Sequence, residues 1–226
     1  MSIVFISVTY PASGTDALAG IGVTSAVIVL ISSFSAIVGA GGSPLAAIAL
    51  GRGNRERAGQ ILGNGFILLL IFTILTSATT YLFMEPILLF TGASENTIGY
   101  ATDYLSIYLL GTLFVELSVG LNTFINTQGR PTIAMYSVLI GAILNIGLDP
   151  LFIFTFGMGV KGAALATILS QACSAIWVIS FLTSKKASLR LEYRYMKLHK
   201  GIILSILALG VSPFIMASTE SLVALS

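Results

Sequence analysis

One cysteine and one histidine are present among 226 residues. Cys173 has no second cysteine to pair with, which excludes a disulfide-stapled secreted domain. His199 leaves no His/Cys cluster for a metal centre. Charge is equally scarce: 11 Lys and Arg with 9 Asp and Glu make up 9% of the chain, against about 25% in soluble domains. So few charges cannot clothe a soluble domain of this size, which sets aside a compact cytosolic enzyme. A net charge of +2 is too small for an electrostatic nucleic-acid binder. No nucleophile–His–acid arrangement or nucleotide fingerprint occurs, so catalysis has little to stand on. The glycine-rich stretch 39–42 lacks the lysine of a phosphate-binding loop.

What the sequence does contain is apolar residues, 56% of the chain, in long runs. Ala17–Gly51 and Ala58–Met84 carry no charge. Tyr104–Gly129 carries only Glu116, Pro131–Thr183 only Asp149 and Lys161, and Gly201–Ser226 only Glu220. A bilayer-crossing helix needs about 20 residues. The runs predict spans over 22–50, 60–83, 100–126, 132–156 and 160–183, with a sixth starting near 202. A transmembrane β-barrel would show strict alternation over about 10 residues, which these solid runs do not. The first run is long enough to tilt, kink or protrude, with an irregular point expected at 39–44, before Pro44. Ser212-Pro213 suggests a second kink. MSIVFISVTY at the N-terminus is too short to span and lacks the basic start of a signal peptide.

Basic residues fix the orientation. Arg52, Arg55 and Arg57, then Arg130, then Lys185, Lys186, Arg190, Arg194, Lys197 and Lys200 fall in alternate loops, 10 of the 11 basic residues. The positive-inside rule places 52–57, 129–130 and 184–200 in the cytoplasm, and 85–97 and 157–161 outside. The basic, aromatic-bearing stretch 189–200 reads as a topology-setting loop near anionic lipid rather than an RNA-binding segment.

Charge inside the hydrocarbon is costly and points to function. Asp149 is the leading candidate, with Asn145 one helical turn before it and Pro150 after it, whose missing N–H frees a carbonyl. A carboxylate, an amide and a carbonyl suit a proton or Na⁺; the alternative is an acid satisfied by an interhelical hydrogen bond. Glu116, with Asn122 and Asn126, suggests a polar stripe, either lining a cavity or joining helices. Glu220 lies within the sixth apolar run. Small residues such as those of 162–167 allow close helix packing.

Several segments resemble one family. Residues 145–167, NIGLDPLFIFTFGMGVKGAALAT, resemble the fifth-to-sixth helix signature of MATE (multidrug and toxic compound extrusion) transporters. LNTFINTQGRP (121–131) resembles that family's fourth-helix end, ALAGIGVT (17–24) and GGSPLAAIALGRGN (41–54) the ends of its second helix, and GVSPF with TESL (210–222) the start of its seventh. The resemblance implies an all-α integral membrane bundle, the N-lobe of a twelve-helix transporter holding helices two to six and part of seven. On that reading 1–183 is the N-lobe with its first helix largely missing, 184–200 a basic cytoplasmic inter-lobe loop, and 201–226 a truncated start of the C-lobe. One codon choice for MSIVFISVTY, read from its third base, encodes the family's usual first-helix ending, VDRIYIGHI, so a shifted frame is expected there.

The implied function is antiport of drugs and small organic cations against H⁺ or Na⁺ across a bacterial cytoplasmic membrane, with no cofactor besides the coupling ion. Asp149, Asn145, Glu116, Glu220 and Asn122 are the expected cation-coupling and cavity residues. The chain is expected to be inactive without the missing C-lobe. Two rival readings stay open. A polysaccharide or lipid flippase of the same superfamily would call for more intramembrane Lys and Arg. A non-transporting membrane fragment is the other.

Overall fold

Backbone N–H and C=O groups find no water in hydrocarbon, so a membrane-crossing chain satisfies them internally, and runs this long do so as α-helices. The computed structural model describes residues 14–223, excepting the side chains of 14, 15, 217, 218 and 220–223. The reading of MSIVFISVTY and the side chain of Glu220 lie outside the described residues. The elements are α1 (Gly14–Gly51), α2 (Arg55–Leu82), α3 (Met84–Phe90), α4 (Ile98–Thr127) and α5 (Pro131–Pro150). A π turn (Leu151–Thr155), α6 (Gly159–Thr183), a 3₁₀ turn (Tyr193–Tyr195) and α7 (Lys200–Val223) follow. Five helical stretches are long and apolar enough to cross a membrane: 16–51, 55–82, 98–127, 131–155 and 159–183. No strand occurs among the described residues.

The helix ends follow local chemistry. Gly53 sits at φ 74°, where its N–H reaches the Leu50 carbonyl and the Asn54 N–H reaches Ala49. This closes α1 in a left-handed cap that a side chain would strain. Asn54 then opens α2, its Oδ1 accepting from the Arg57 N–H at 2.9 Å. Pro131 begins α5, where a missing N–H costs nothing.

The expected break at 39–44 is absent: α1 runs through Pro44 for 38 residues, and α7 runs through Pro213. The glycines serve packing instead. A Cβ on Gly41 would meet the Ile206 carbonyl and lie 2.9 Å from the Gly210 nitrogen, and one on Gly210 would lie 2.7 Å from Ile37 Cα. α1 and α7 thus cross backbone on backbone. At about 1.5 Å per residue α1 is about 57 Å long, well beyond a hydrocarbon layer of about 30 Å. It packs on α2, α4 and α7, while α4 packs on α6 and α6 on α5.

The three basic loops meet at one end. The Leu189 N–H donates to Gln128 Oε1 at 3.0 Å, and the Arg130 guanidinium stands 5.9 Å from the Phe181 ring. Buried Asn64 of α2 donates to the Lys197 carbonyl at 3.1 Å and accepts from the His199 N–H at 2.8 Å. At the other end Lys161 pairs with Asp103 at 3.2 Å across α4 and α6, both half exposed. That pair contributes at most about 1 kcal/mol. The 85–97 segment, expected outside, is not a plain loop. It holds most of α3, which buries Met84 and Leu88 and exposes Leu89 and Phe90.

Two expectations follow. Gly41→Ala should lower the thermal stability of the detergent-solubilised chain by about 1–3 kcal/mol, because backbone must move apart. Gly22→Ala, where a Cβ meets nothing within 4 Å, should be neutral or stabilising by up to about 1 kcal/mol; equal melting shifts in the two variants would contradict the packing argument. Single cysteines at Ser188 and Arg130, on a Cys173→Ala background, should resist an impermeant maleimide in intact cells, and one at Glu95 should react.

Candidate functional site

α5 carries the acid with the most enclosed setting. Asp149 is wholly buried, and Asn145 Nδ2 donates to its Oδ1 at 3.3 Å. Asn145 lies one turn earlier on the same face and is half-buried. Pro150 returns no N–H to the carbonyl four residues before it, and the helix re-registers into the π turn, where the Phe156 N–H reaches the Leu151 carbonyl at 3.1 Å. The acid therefore sits where regular helix gives way.

α4 and α6 close the site. Tyr104 is within electrostatic reach of Asp149 and hydrogen-bonding reach of Thr167. Tyr104 and Tyr108 stack with ring centroids 6.1 Å apart. Ala17 and Ile21 of α1, Ile153, and Val160, Ala163 and Ala164 of α6 form the apolar cluster around those rings. Asp149 and Asn145 bring a carboxylate and an amide together beside this apolar cluster. That donor set can take up a proton or a hard cation such as Na⁺.

Glu116 is also buried, 3% exposed, but it faces elsewhere. Its carboxyl lies against Ser32 and Ser35 of α1, and its Oε1 has no hydrogen-bond partner. Asn122 faces α5 instead: Nδ2 donates to the Ala134 carbonyl at 3.2 Å, while Oδ1 is buried without a partner. The expected stripe from Glu116 through Asn122 to Asn126 does not form. Six residues on a helix turn roughly 240° past a full circle, so Glu116 and Asn122 occupy different faces. Asn122 and Asn126, one turn apart, do share a groove of about 260 Å³ with Ser118, Ser137, Gln171 and Ser174. Ser118 donates to Gln171 Oε1 at 2.7 Å there. Glu220 lies on α7, outside the described side chains.

Sequence reading missed Tyr104 and Thr167. Thr167 ends a run of small residues that reads as packing surface, and Tyr104 looks interfacial because Asp103 precedes it. No group of three or more His, Cys, Asp or Glu gathers among the described residues.

Residues 1–151 match the MatE family model. The chain belongs to the MatE family. It is 28% identical, over 88% of its length, to a multidrug export protein MepA of Staphylococcus haemolyticus, of which it covers 44%. It is 36% identical, over 70% of its length, to a protein of Shewanella oneidensis named as an FAD transporter, of which it covers 36%. Among solved structures, an inward-facing multidrug resistance MATE family transporter superposes with TM-score 0.89 at 25% identity, over 99% of this chain and 52% of that one. The outward-facing conformation of such a transporter superposes with TM-score 0.87 at 26% identity. The chain spans about half the length of the relatives it matches or less. It is a multi-pass membrane protein with the helical architecture of this family.

Glu116 gives a direct test of buried charge. Glu116→Gln keeps the shape and removes the charge that Oε1 leaves unbonded, so melting should be unchanged or higher. A loss exceeding about 2 kcal/mol would mean that the ionised carboxylate makes strong bonds to Ser32 and Ser35.

Proposed function

We propose that this chain forms the N-lobe, residues 1–183, of a cation-coupled exporter of drugs and organic cations in a bacterial cytoplasmic membrane. Residues 184–200 join it to a second lobe that begins at 201. The observation that carries the reading is Asp149, fully buried at membrane depth with an amide donor at 3.3 Å, in a family whose matched relatives include multidrug export proteins. A carboxylate costs several kcal/mol at that depth, so its retention favours a role in ion movement. Asp149 takes up H⁺ or Na⁺ beside Asn145, and the change in its charge alters the balance between two orientations of the lobes. Glu116 and Asn122 contribute polar groups along α4.

Half a transporter has one wall of a site that needs two. The 226 residues alone are therefore expected to give no gradient-driven efflux. In a full-length protein completed with a second lobe, Asp149→Asn should reduce coupled efflux about 5–150-fold, the usual range of a coupling free energy. The measurement is ethidium efflux from proteoliposomes under an imposed H⁺ or Na⁺ gradient. Efflux by the 226-residue chain would overturn the first expectation, and wild-type efflux by the Asp149→Asn protein the second. A second reading rests on the 36% identity to the Shewanella oneidensis protein, and makes the cargo a flavin dinucleotide. Flavin fluorescence appearing outside the same proteoliposomes, with ethidium retained, would select it.

A further inference from the structure

A second cavity lies among the basic loops, at the opposite end of the bundle from the Lys161–Asp103 pair. It measures about 450 Å³ and is walled by Arg55 at the start of α2, Lys185, Lys186 and Arg190 after α6, and Arg194 and Tyr195 before α7. That makes five cations against one acid, Glu192. Arg194 is already engaged: its Nε donates to Glu192 Oε2 at 2.7 Å, and its guanidinium lies 4.5 Å from the centre of the Tyr195 ring. No ion pair engages Arg55, Lys185, Lys186 or Arg190 among the described residues. Four uncompensated cations around one hollow repel each other and create a positive field that favours an anion.

The walls are built, not draped. Ala187, Leu189 and Leu191 alternate along the loop and bury their side chains in the same core as Leu62, Phe124 and Leu182. The Leu191 N–H bonds the Leu182 carbonyl at 2.9 Å. Asn64, with no exposed surface, clamps Lys197 and His199. Tyr195 lies so close to α2 that a Cβ on Gly59 would fall 2.7 Å from its ring. Fixing the loop costs entropy in the free protein, so an anion that enters meets charges already in place.

Size and position define the occupant. A volume of about 450 Å³ is in the range of small-molecule sites, about 300–1,000 Å³, and larger than a lone phosphate needs. The hollow lies between the start of α2 and the loop that leads from α6 to α7, at the helix ends that the positive-inside rule sets against the cytoplasmic headgroups. Tyr193, 89% exposed, and Leu198, 52% exposed, stand on the same loop; an aromatic and an apolar side chain bared at a helix end suit the interfacial layer. We propose that this hollow binds the phosphate-bearing headgroup of an anionic membrane lipid, held by Arg55, Lys185, Lys186 and Arg190. The site is separate from any transport reading: it needs neither Asp149 nor a second lobe.

The test uses the whole chain in mild non-ionic detergent at about 150 mM salt, where long-range attraction is screened. Phosphatidylglycerol, phosphatidylcholine and inorganic phosphate are titrated separately, with the melting temperature and native mass spectra as readouts. Phosphatidylglycerol should raise the melting temperature and stay bound in the gas phase, and the other two should not. The variant Lys185→Gln/Lys186→Gln/Arg190→Gln should weaken phosphatidylglycerol binding by about tenfold or more, and Arg52→Gln/Arg57→Gln/Lys197→Gln, which removes three charges at the same end outside the hollow, by less than about threefold. Equal losses in the two triple variants would mean bulk attraction and overturn the site. Stabilisation by phosphatidylcholine or inorganic phosphate equal to that by phosphatidylglycerol would overturn the headgroup assignment. Should the first triple variant fail to fold, Lys185→Gln alone, exposed and free of ion pairs, carries the comparison. It should lose about threefold or more, and unchanged binding would overturn the proposal.

Discussion

The hydrocarbon accepts no hydrogen bond, and the rest of the structure answers to that one constraint. It makes the chain helical, and it also disciplines the small polar side chains. Thr24 bonds back to the Ile21 carbonyl at 2.7 Å, Ser33 to Leu30 at 2.6 Å, Ser35 to Ser32 at 2.8 Å and Thr73 to Leu69 at 2.8 Å. Each hydroxyl is satisfied within its own helix and asks nothing of lipid. With polar demands met locally, helices approach wherever side chains are small, as at Gly41 and Gly210 or where Gly141 meets Ser174.

Bonds that leave their own helix are concentrated around α4, α5 and α6. Ser174 reaches the Ser137 carbonyl at 2.7 Å, Ser118 reaches Gln171 at 2.7 Å and Asn122 reaches the Ala134 carbonyl at 3.2 Å. The first and third link α5 to a bundle it otherwise touches lightly, since much of its apolar surface, Val138, Leu139, Ile143 and Ile146, is exposed. The Asp149 site lies along the same seam, past the groove that holds Asn122. A helix held by a few polar bonds and ending in a π turn has more freedom than one clamped on every side.

The spans were legible because a 20-residue apolar run has few other uses; most predicted limits lie within two residues of the helices, while α1 and α2 begin eight and five residues before their predicted starts. Local irregularity was not. Pro44 reads as a break, but α7 braces α1 at Gly41 and the helix continues. α3 was hidden because seven residues carry too little periodicity to register. The docking of 184–200 was obscured by its charge, although Ala187, Leu189 and Leu191 alternate in the sequence and betray a buried edge. Asp149 and Asn145 were legible as a pair because one turn separates them. Tyr104 and its neighbour Thr167 were not, because the approach of Tyr104 to Asp149 and to Thr167 depends on how three helices pack.

The two buried acids separate under the same reasoning. Each would be expensive in hydrocarbon if ionised and unsupported. Glu116 sits between α4 and the serines of α1, with one oxygen lacking a partner, a position where a neutral isostere can serve equally well. Asp149 has an amide donor one turn away and a helix that changes register immediately after it; a tyrosine within electrostatic reach is common to both acids, Tyr104 for Asp149 and Tyr108 for Glu116. Support of that kind steadies a charge without cancelling it. A structural acid needs its bonds, and Asn could supply them. An acid that exchanges an ion needs its charge, and the amide cannot replace that. Burial alone does not tell the two acids apart; the groups arranged around each carboxylate do.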